Sequence, residues 1–485
     1  MSSLTRQIHL LKAFRLFALV TGDGTYGCRS DEIFRLHTSV FLSRSNLLPW
    51  GGHVFLNPNT LRPDGPPNKG MQHELKDSFP DYDALYRIDP PKTLRMIRAM
   101  WAAHADDGGD LIVSRHASAQ DIGDFQFEQI SALAAARPGP PAASERLTFM
   151  NASNDLIFAA LKYYEFTGDI HALRAAESLY QRYIVQRSER TGLGVYMYTV
   201  PLQRMSPEED TNTMSWFGDR ASRQLGPELG ADALELNVLL DRQVQSIYGE
   251  LPWMLMCLRR QAGAALDVLC HGAVTGLEAF CKGVLVGDGA RCRPMLATGV
   301  DLTGFVLARD GYYGPSGERL THYATPPKVI AAVLLAALHF NSPTLRSAAN
   351  RLFAGLGLGT TTSDPIHAPV PNYFTRCAEP SVALFLIEAY SLTGQDVYLR
   401  LAECVVDRML RASWYPPFFQ RGIASRYACF DAVEPLVVAQ LLATASGVAA
   451  EPSLTSSSSI YGEFRLDDGR VVTVFDNQYF RNALR

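Results

Sequence analysis

The chain has 485 residues, of which 47% are hydrophobic, and a formal net charge of −4. This composition provides a large core, and the length allows either several domains or one large repeat architecture. Proteins that bind nucleic acids or membrane surfaces typically carry a positive charge or a basic run, and this chain has neither. We therefore expect no nucleic-acid or membrane partner.

The first predicted element is an amphipathic helix in residues 9–20. Lys12 and Arg15 interrupt its apolar run and no small-residue cleavage site follows, so the pattern is not that of a signal peptide. We expect no segment that is long and apolar enough to span a bilayer. The eight cysteines form no CxxC pair, which favours reduced core thiols. The sequence therefore predicts a cytoplasmic protein, or a periplasmic or secreted one whose leader has been removed.

Helical periodicity dominates the rest of the chain. Apolar residues recur at i, i+3 and i+4 in residues 156–164, 329–340, 382–392 and 398–410. A Thr-Gly motif recurs where helices should end, because glycine adopts the left-handed conformation that stops a helix, at Gly22, Gly168 and Gly394. The aspartate that follows each glycine can cap the next helix: Asp23, Asp169 and Asp396. At least three such helical hairpins predict a stacked or ring-closed architecture.

Long segments without helical periodicity separate the hairpins. Insertions of this kind on a helical scaffold usually carry function, so we expect an active cleft lined by residues 48–76, 104–125, 203–232 and 298–327. Residues 459–485 alternate in polarity and predict a β-hairpin with its turn at Asp467-Asp468-Gly469. The predicted domains are a mostly helical catalytic domain, 1–450, and a short hairpin tail, 459–485, that packs on it.

Histidines and a carboxylate are concentrated in the first quarter of the chain. His53, Glu74 and His116 provide two imidazoles and an anion, a ligand set that suits Mn, Fe, Co, Ni or Zn and not calcium. Their wide spacing means that only the fold can bring them together, and each histidine could instead be structural. If His73 and Glu74 are helical, only one of them enters a given site. His73 and His104 are then outer partners of the ligands or ordinary helix-face residues, and His104 could also cap its helix.

Basic and aromatic residues beside glycine-rich segments predict contacts with an acidic sugar. Arg115 precedes the last histidine of the proposed ligand set and provides a cation for an anionic substrate. The other predicted substrate contacts are His73, Lys76, Arg220, Arg223, Arg309, Tyr312 and Tyr313. A glycine-rich turn with half-buried aromatics is the alternative for the tyrosines, and a solvated helix start is the alternative for residues 218–224. The sequence contains neither a nucleotide-binding loop nor a GxSxG nucleophile elbow.

These motifs resemble family 2 polysaccharide lyases, the periplasmic pectate lyase family. The resemblance rests on Trp50-Gly51-Gly52-His53, on Gln72-His73-Glu74-Leu75-Lys76 and on Ser114-Arg115-His116. It continues in GDRA at 218–221 and in GVDLTGFVLARDGYYG at 299–314. The resemblance implies a mostly α fold, an α/α toroid of helical hairpins. It also implies a divalent transition metal, manganese first and cobalt or nickel as alternatives, held by His53, Glu74 and His116.

The resemblance further implies β-elimination on an α-1,4-linked galacturonate polymer or oligomer, with Arg115 as the Brønsted base. Arginine ordinarily stays protonated, so this role requires a neighbouring metal and buried surroundings that disfavour the charged form. Lys76, His73 and Tyr313 are the alternative bases. Two other function classes stay open: a toroid glycoside hydrolase acting on unsaturated uronides, and a non-catalytic carbohydrate-binding protein of helical repeats.

Overall fold

The structure is a computed structural model. It describes residues 4–41, 46–48, 50, 55–57, 62–64, 72–105, 111, 113, 115–118, 125–129, 144–200, 225, 229, 237–308, 313–361, 369–416, 418–419, 432–448, 454–455, 461–465 and 471–475.

Helices account for most of the described chain. They are α1 Leu4–Thr21, α2 Gly24–Leu36, α3 Tyr82–Ile88, α4 Pro90–His104, α5 Met150–Thr167, α6 Ile170–Val185, α7 Leu251–Ala262, α8 Asp267–Gly283, α9 Pro327–His339, α10 Pro343–Gly355, α11 Pro380–Thr393, α12 Asp396–Ser413 and α13 Glu434–Ala445. Shorter helical segments adjoin them: His37–Phe41 after α2, Asp241–Val244 and Gln245–Glu250 before α7, and Gly263–Leu266 between α7 and α8.

The predicted hairpin signals occur at real helix ends. Gly22, Gly168 and Gly394 each follow the last residue of a helix, with φ of 72°, 73° and 69°. The side chain of Asp23 accepts a hydrogen bond from the backbone N–H of Thr25, and that of Asp169 accepts one from His171. The third copy departs from the prediction. Gln395 occupies the cap position of α12 without a side-chain capping hydrogen bond and Asp396 is the first helical residue, so the predicted capping role of Asp396 is wrong.

The helices form two layers. Inner helices are buried around their whole circumference, as in residues 150–163 of α5, 328–338 of α9 and 382–389 of α11. Outer helices bury one face only, and α12 does so with Tyr398, Leu401, Ala402, Val405 and Met409 among its buried residues. Each outer helix packs antiparallel against the inner helix before it, because the connection between them is only a few residues long.

The helices close into a ring. Helix α7 packs against α9, α9 against α11, and α11 against α13. The last helix, α13, packs against the first, α1, through an apolar cluster that includes Ala13, Leu16, Leu436 and Ala439. Contacts from α1 through α2, α3 and α4 to α5, and from α5 to α7, complete the circle. The α/α toroid expected from the sequence is therefore confirmed.

The strands are short and pair antiparallel. They are β1 Phe55–Asn57, β2 Arg62–Asp64, β3 Gln72–Glu74, β4 His116–Ser118, β5 Ser144–Phe149, β6 Met197–Val200, β7 Val238–Leu239, β8 Leu285–Val286, β9 Arg291–Cys292, β10 Met295–Leu296, β11 Tyr323–Ala324, β12 Gly359–Thr361, β13 Pro369–Pro371, β14 Trp414–Tyr415, β15 Phe418–Phe419, β16 Tyr461–Arg465 and β17 Val471–Phe475. The pairs are β1–β2, β3–β4, β5–β6, β7–β10, β12–β13, β14–β15 and β16–β17, and one sheet has the order β11–β9–β8.

The tail contains the predicted pair of strands. β16 and β17 are in register from Tyr461 opposite Phe475 to Arg465 opposite Val471. The predicted turn at Asp467-Asp468-Gly469 lies outside the described residues, and the packing of this hairpin on the helices stays a prediction.

One described stretch, Asp241–Gly283, is long and apolar enough to cross a membrane by length and composition alone. A turn at Gly263, with φ of 59°, divides the stretch into α7 and α8, which pack against each other. Both helices contribute to the main hydrophobic core, through residues such as Trp253 and Leu277. Core helices of this kind pass the same compositional test.

The long segments precede the inner helices in the order of the chain. Each short connection follows an inner helix and each long segment precedes one. The beginnings of neighbouring inner elements lie side by side, since Asn154 of α5 donates to the carbonyl of Ser246 (3.1 Å) and Lys328 of α9 donates to Glu250 (3.1 Å). This end of the ring carries the paired strands β3 and β4.

Candidate active site

The strands β3 and β4 bring two separated sequence motifs together. In their antiparallel register, Gln72 is opposite Ser118, His73 is opposite Ala117 and Glu74 is opposite His116. Cα atoms of directly opposite residues lie about 4.5–5.5 Å apart. The backbone N–H of Leu75 donates to the carbonyl of Arg115 (3.0 Å), which extends the pairing by one residue. Two of the three predicted ligand positions are thus neighbours across one strand pair.

Arg115 forms an ion pair with Glu74 at this point. One guanidinium nitrogen, Nη2, lies 3.0 Å from Oε1 of Glu74. The side chain of Glu74 is 1% exposed and that of Arg115 is 20% exposed, so the carboxylate is enclosed while the arginine side chain is partly exposed. The guanidinium carbon also lies 5.8 Å from the ring centre of Phe149, the residue before α5. A partly exposed basic side chain is therefore held beside a buried carboxylate.

The neighbouring His73 has a different environment. Its Nδ1 lies 2.7 Å from Nε2 of His104, the last residue of α4, and both imidazoles are buried. Because residues 72–74 form a strand and not the helix considered above, adjacent side chains point to opposite faces, and His73 contacts α4 while Glu74 contacts Arg115. Burial lowers the pKa of His73 well below its usual value, and the nearby His104 acts in the same direction. His104 is thus the partner of His73, whereas Ala105 is the C-cap of α4.

The turn after β3 is strained and tied to the helical ring. Asp77 and Phe79 have positive φ, 49° and 41°, a conformation that costs about 1–3 kcal/mol for residues other than glycine. Asp155 of α5 accepts hydrogen bonds from the backbone N–H groups of Lys76 (2.7 Å), Ser78 (2.6 Å) and Phe79 (2.9 Å). Burial raises the pKa of Asp155 to about 7, although these hydrogen bonds act in the opposite direction.

A second buried carboxylate, Asp77, belongs to the same turn. It accepts hydrogen bonds from Nδ2 of Asn154 and from Oγ of Ser246, both at 2.7 Å, and its own N–H donates to the carbonyl of Asn151. Burial raises the pKa of Asp77 well above its usual value, and the carboxylates of Glu250 and Asp155 add to the shift. The sequence analysis missed this network. Its signal is the polar run Asn-Ala-Ser-Asn-Asp at 151–155, which opens an otherwise apolar helix.

The remaining predicted substrate contacts are distributed differently. The backbone of Lys76 is part of the turn just described. Tyr313 is 5% exposed and lies in a separate hydrophobic cluster with Leu302, Leu307 and Leu320. Outside the described residues are His53, Arg220, Arg223, Arg309 and Tyr312, together with the side chain of His116. Their proposed roles stay predictions.

The chemistry of the strand pair fits a divalent transition metal. Among the described side chains no three of His, Cys, Asp or Glu come together as a metal site. However, Glu74 provides a buried carboxylate, and the β3–β4 register sets the position of His116 directly opposite. Trp50, three residues before His53, is bridged to β3 at His73, and its carbonyl accepts the N–H of Glu74 (2.9 Å). Two imidazoles and one carboxylate are suitable donors for such an ion.

The fold is an α/α toroid, and its candidate active site contains the basic residue Arg115 beside the buried carboxylate of Glu74. The chain belongs to the periplasmic pectate lyase family, whose model matches residues 1–462. It is 31% identical over 454 residues to the pectate disaccharide-lyase of Dickeya dadantii (strain 3937), an alignment that covers 91% of this chain and 80% of that protein. The protein is therefore a lyase.

Solved structures with a similar fold are more distant. Cellobiose 2-epimerase from Bacillus thermoamylovorans is 10% identical with a TM-score of 0.45, and the match covers 86% of this chain and 99% of that one. An unsaturated glucuronyl hydrolase specific for heparin is 10% identical with a TM-score of 0.36, covering 91% of this chain and 96% of that one.

Proposed function

We propose that this chain cleaves α-1,4-linked galacturonate, as pectate or oligogalacturonate, by metal-dependent β-elimination at the β3–β4 strand pair. The observation that carries the proposal is the register that sets Glu74 opposite His116, with Arg115 in an ion pair with Glu74 at 3.0 Å. The family and the pectate disaccharide-lyase relative support the substrate class. The description of the family as periplasmic supports the periplasm as the location of this chain.

The proposed ligands are His53, Glu74 and His116. His53 follows Trp50 by three residues, a length of chain that spans at most about 10–11 Å, and Trp50 is itself bridged to β3. A bound divalent ion, manganese in the first instance, supplies Lewis-acid stabilisation of the negative charge that develops on the uronate carboxylate. Glu74 brings the anion that two neutral imidazoles require for charge balance.

Arg115 is the proposed base. In the reaction the C5–H bond breaks and the proton moves to a side-chain nitrogen of Arg115. The C5 electron pair forms the C4–C5 double bond, and the C4–O bond breaks as the 4-linked oxygen leaves and takes up a proton. Position supports this role: the side chain of Arg115 is partly exposed and lies beside the proposed ligand Glu74.

The test is an ultraviolet absorbance assay of the unsaturated uronate product. The protein is incubated with polygalacturonate and Mn²⁺, and separately with unsaturated oligogalacturonides. Absorbance that rises in the first reaction supports the lyase. Loss of absorbance in the second, with no rise in the first, would instead support a hydrolase of unsaturated uronides. No change in either, together with binding of the polymer, would support a binding protein and contradict the proposal.

A further inference from the structure

The turn at residues 76–79 lies outside the helices and strands, and the side chain of Asp155 holds it in place. Three of its N–H groups converge on the carboxylate of Asp155 at 2.6–2.9 Å. Positive φ at Asp77 and Phe79 aims these N–H groups at a common point, as in the backbone nests that bind anions. Here the anion is the carboxylate of Asp155 itself, on the buried inner helix α5.

We propose that Asp155 is a positioning residue for the lyase reaction: it holds this turn, and through it sets the place of the Glu74–Arg115 pair. The proposal rests on the proposed function in taking that pair as part of the active site. Asp155 itself is 0% exposed, so it touches neither substrate nor solvent and acts through the turn that it holds.

The connection from Asp155 to the pair is short. The N–H of Lys76 bonds to Oδ2 of Asp155, and Lys76 is two residues after Glu74. Between them, the N–H of Leu75 donates to the carbonyl of Arg115 (3.0 Å). A shift of the turn therefore moves Glu74 and the backbone of Arg115 together. Displacement of reacting groups by about 1 Å can lower a rate by roughly 100-fold.

The ionised carboxylate is the group that this turn requires. A carboxylate is an acceptor at both oxygens, whereas an amide places two N–H donors at one of them. Backbone N–H groups donate to both oxygens of Asp155. The side-chain NH2 group of an asparagine would therefore face at least one of these backbone N–H groups. Burial raises the pKa of Asp155 to about 7, so the ionised form prevails above neutral pH.

The experiment compares wild type, Asp155→Asn and a matched control, Glu388→Gln. Glu388 is also a buried carboxylate of an inner helix, but its ion pair is to Arg260, away from the strand pair. Hydrogen–deuterium exchange of peptides that cover residues 72–82 reports on the turn. Mn²⁺ affinity by titration calorimetry and kcat and KM on polygalacturonate report on the site.

In Asp155→Asn we expect exchange of the 76–79 amides to become at least about tenfold faster and Mn²⁺ affinity to fall about 10- to 100-fold. We expect kcat to fall by a similar factor while KM stays within about threefold. Peptides from α9 should exchange as in wild type. Ser78→Ala, which removes only the hydroxyl that also bonds Asp155, is the milder second variant should Asp155→Asn not fold. It should change the same quantities in the same direction.

Unchanged exchange at 76–79 would overturn the proposal, and so would faster exchange with unaltered Mn²⁺ affinity and kcat. A wild-type protein that is inactive on polygalacturonate would contradict the proposed function alone, because exchange and Mn²⁺ affinity are measured without substrate. Glu388→Gln should match wild type in exchange at 72–82, Mn²⁺ affinity and kcat.

Discussion

Replacement of Arg115 by lysine separates the role of a base from that of a carboxylate clamp. Lysine retains a cation beside the buried carboxylate of Glu74, whose side chain is 1% exposed. Alanine removes this cation, and loss of one partner from a buried pair costs about 3–5 kcal/mol of stability. Arg115→Lys should therefore unfold at a denaturant concentration close to that of wild type, and its kinetic defect can be assigned to the site.

The size of that defect follows from the geometry. The guanidinium is fixed at two points, 3.0 Å from Glu74 and 5.8 Å from the ring centre of Phe149, and an ammonium cannot reproduce its planar shape. Loss of a general base lowers the rate about 10²–10⁴-fold, which corresponds to about 3–5 kcal/mol of transition-state stabilisation. A clamp that is only weakened would instead raise KM and leave appreciable turnover.

The assay measures kcat and KM on polygalacturonate with saturating Mn²⁺, together with the metal content of each variant. Arg98→Lys is the matched control, because Arg98 lies on α4 and donates to the hydroxyl of Tyr163 (3.1 Å). More than about a tenth of wild-type kcat in Arg115→Lys, with normal metal content, would refute the base role, since a lost general base costs at least about 100-fold. A wild-type rate that is highest on the acid side of neutrality would refute it as well, because a guanidine base requires alkaline conditions.

The remaining predictions concern ligands and stability. His53→Ala, Glu74→Ala and His116→Ala should each lose metal and activity together, and stoichiometric Mn by mass spectrometry in His53→Ala would exclude that ligand. Burial lowers the pKa of His37 to about 4 from 6.5. Its neutral form stabilises the fold above pH 6.5, and this contribution, about 3 kcal/mol, is lost as the pH falls towards 4. In His37→Asn urea unfolding should depend less on pH over this range, whereas the exposed His271→Asn should behave as wild type. Lys328→Met removes the cation 3.1 Å from buried Glu250 and should lower the free energy of unfolding by about 3–5 kcal/mol. The double variant with Glu250→Gln should regain most of this stability. Additive losses of the two variants in denaturant unfolding would argue against the pairing.

Local signals in the sequence were sufficient for the helical scaffold. The helix ends at Gly22, Gly168 and Gly394 depend on one residue with positive φ, which glycine marks in the sequence. The error at Asp396 arose because an insertion of one residue, Gln395, moved the cap position by one step. Periodicity over about 2.5–3.6 helical turns identified α5, α9, α11 and α12, since burial on one or all sides leaves a repeated apolar pattern.

The site was less accessible to such reasoning. β3 and β4 contain three residues each, too few for an alternating pattern, so the residue pair His73-Glu74 could equally be helical. The resemblance to the lyase family assigned Glu74, Arg115 and His116 to one site. The register that sets Glu74 opposite His116 depends on the tertiary fold. Asp155 bonds residues that are 76–79 positions distant in the chain, and no local pattern encodes such a contact.

The contact between α1 and α13 that closes the ring also affects folding during synthesis, because the two helices are made at different times. The apolar face of α1 that includes Ala13 and Leu16 is covered by Leu436 and Ala439, which leave the ribosome about 400 residues later. At about 5–20 residues per second, that face waits roughly 20–80 s for its partner. Until the residues of α13 are made, the apolar face of α1 lacks the cover that it has in the folded ring. Transiently exposed apolar surface of this kind makes incomplete chains prone to aggregation.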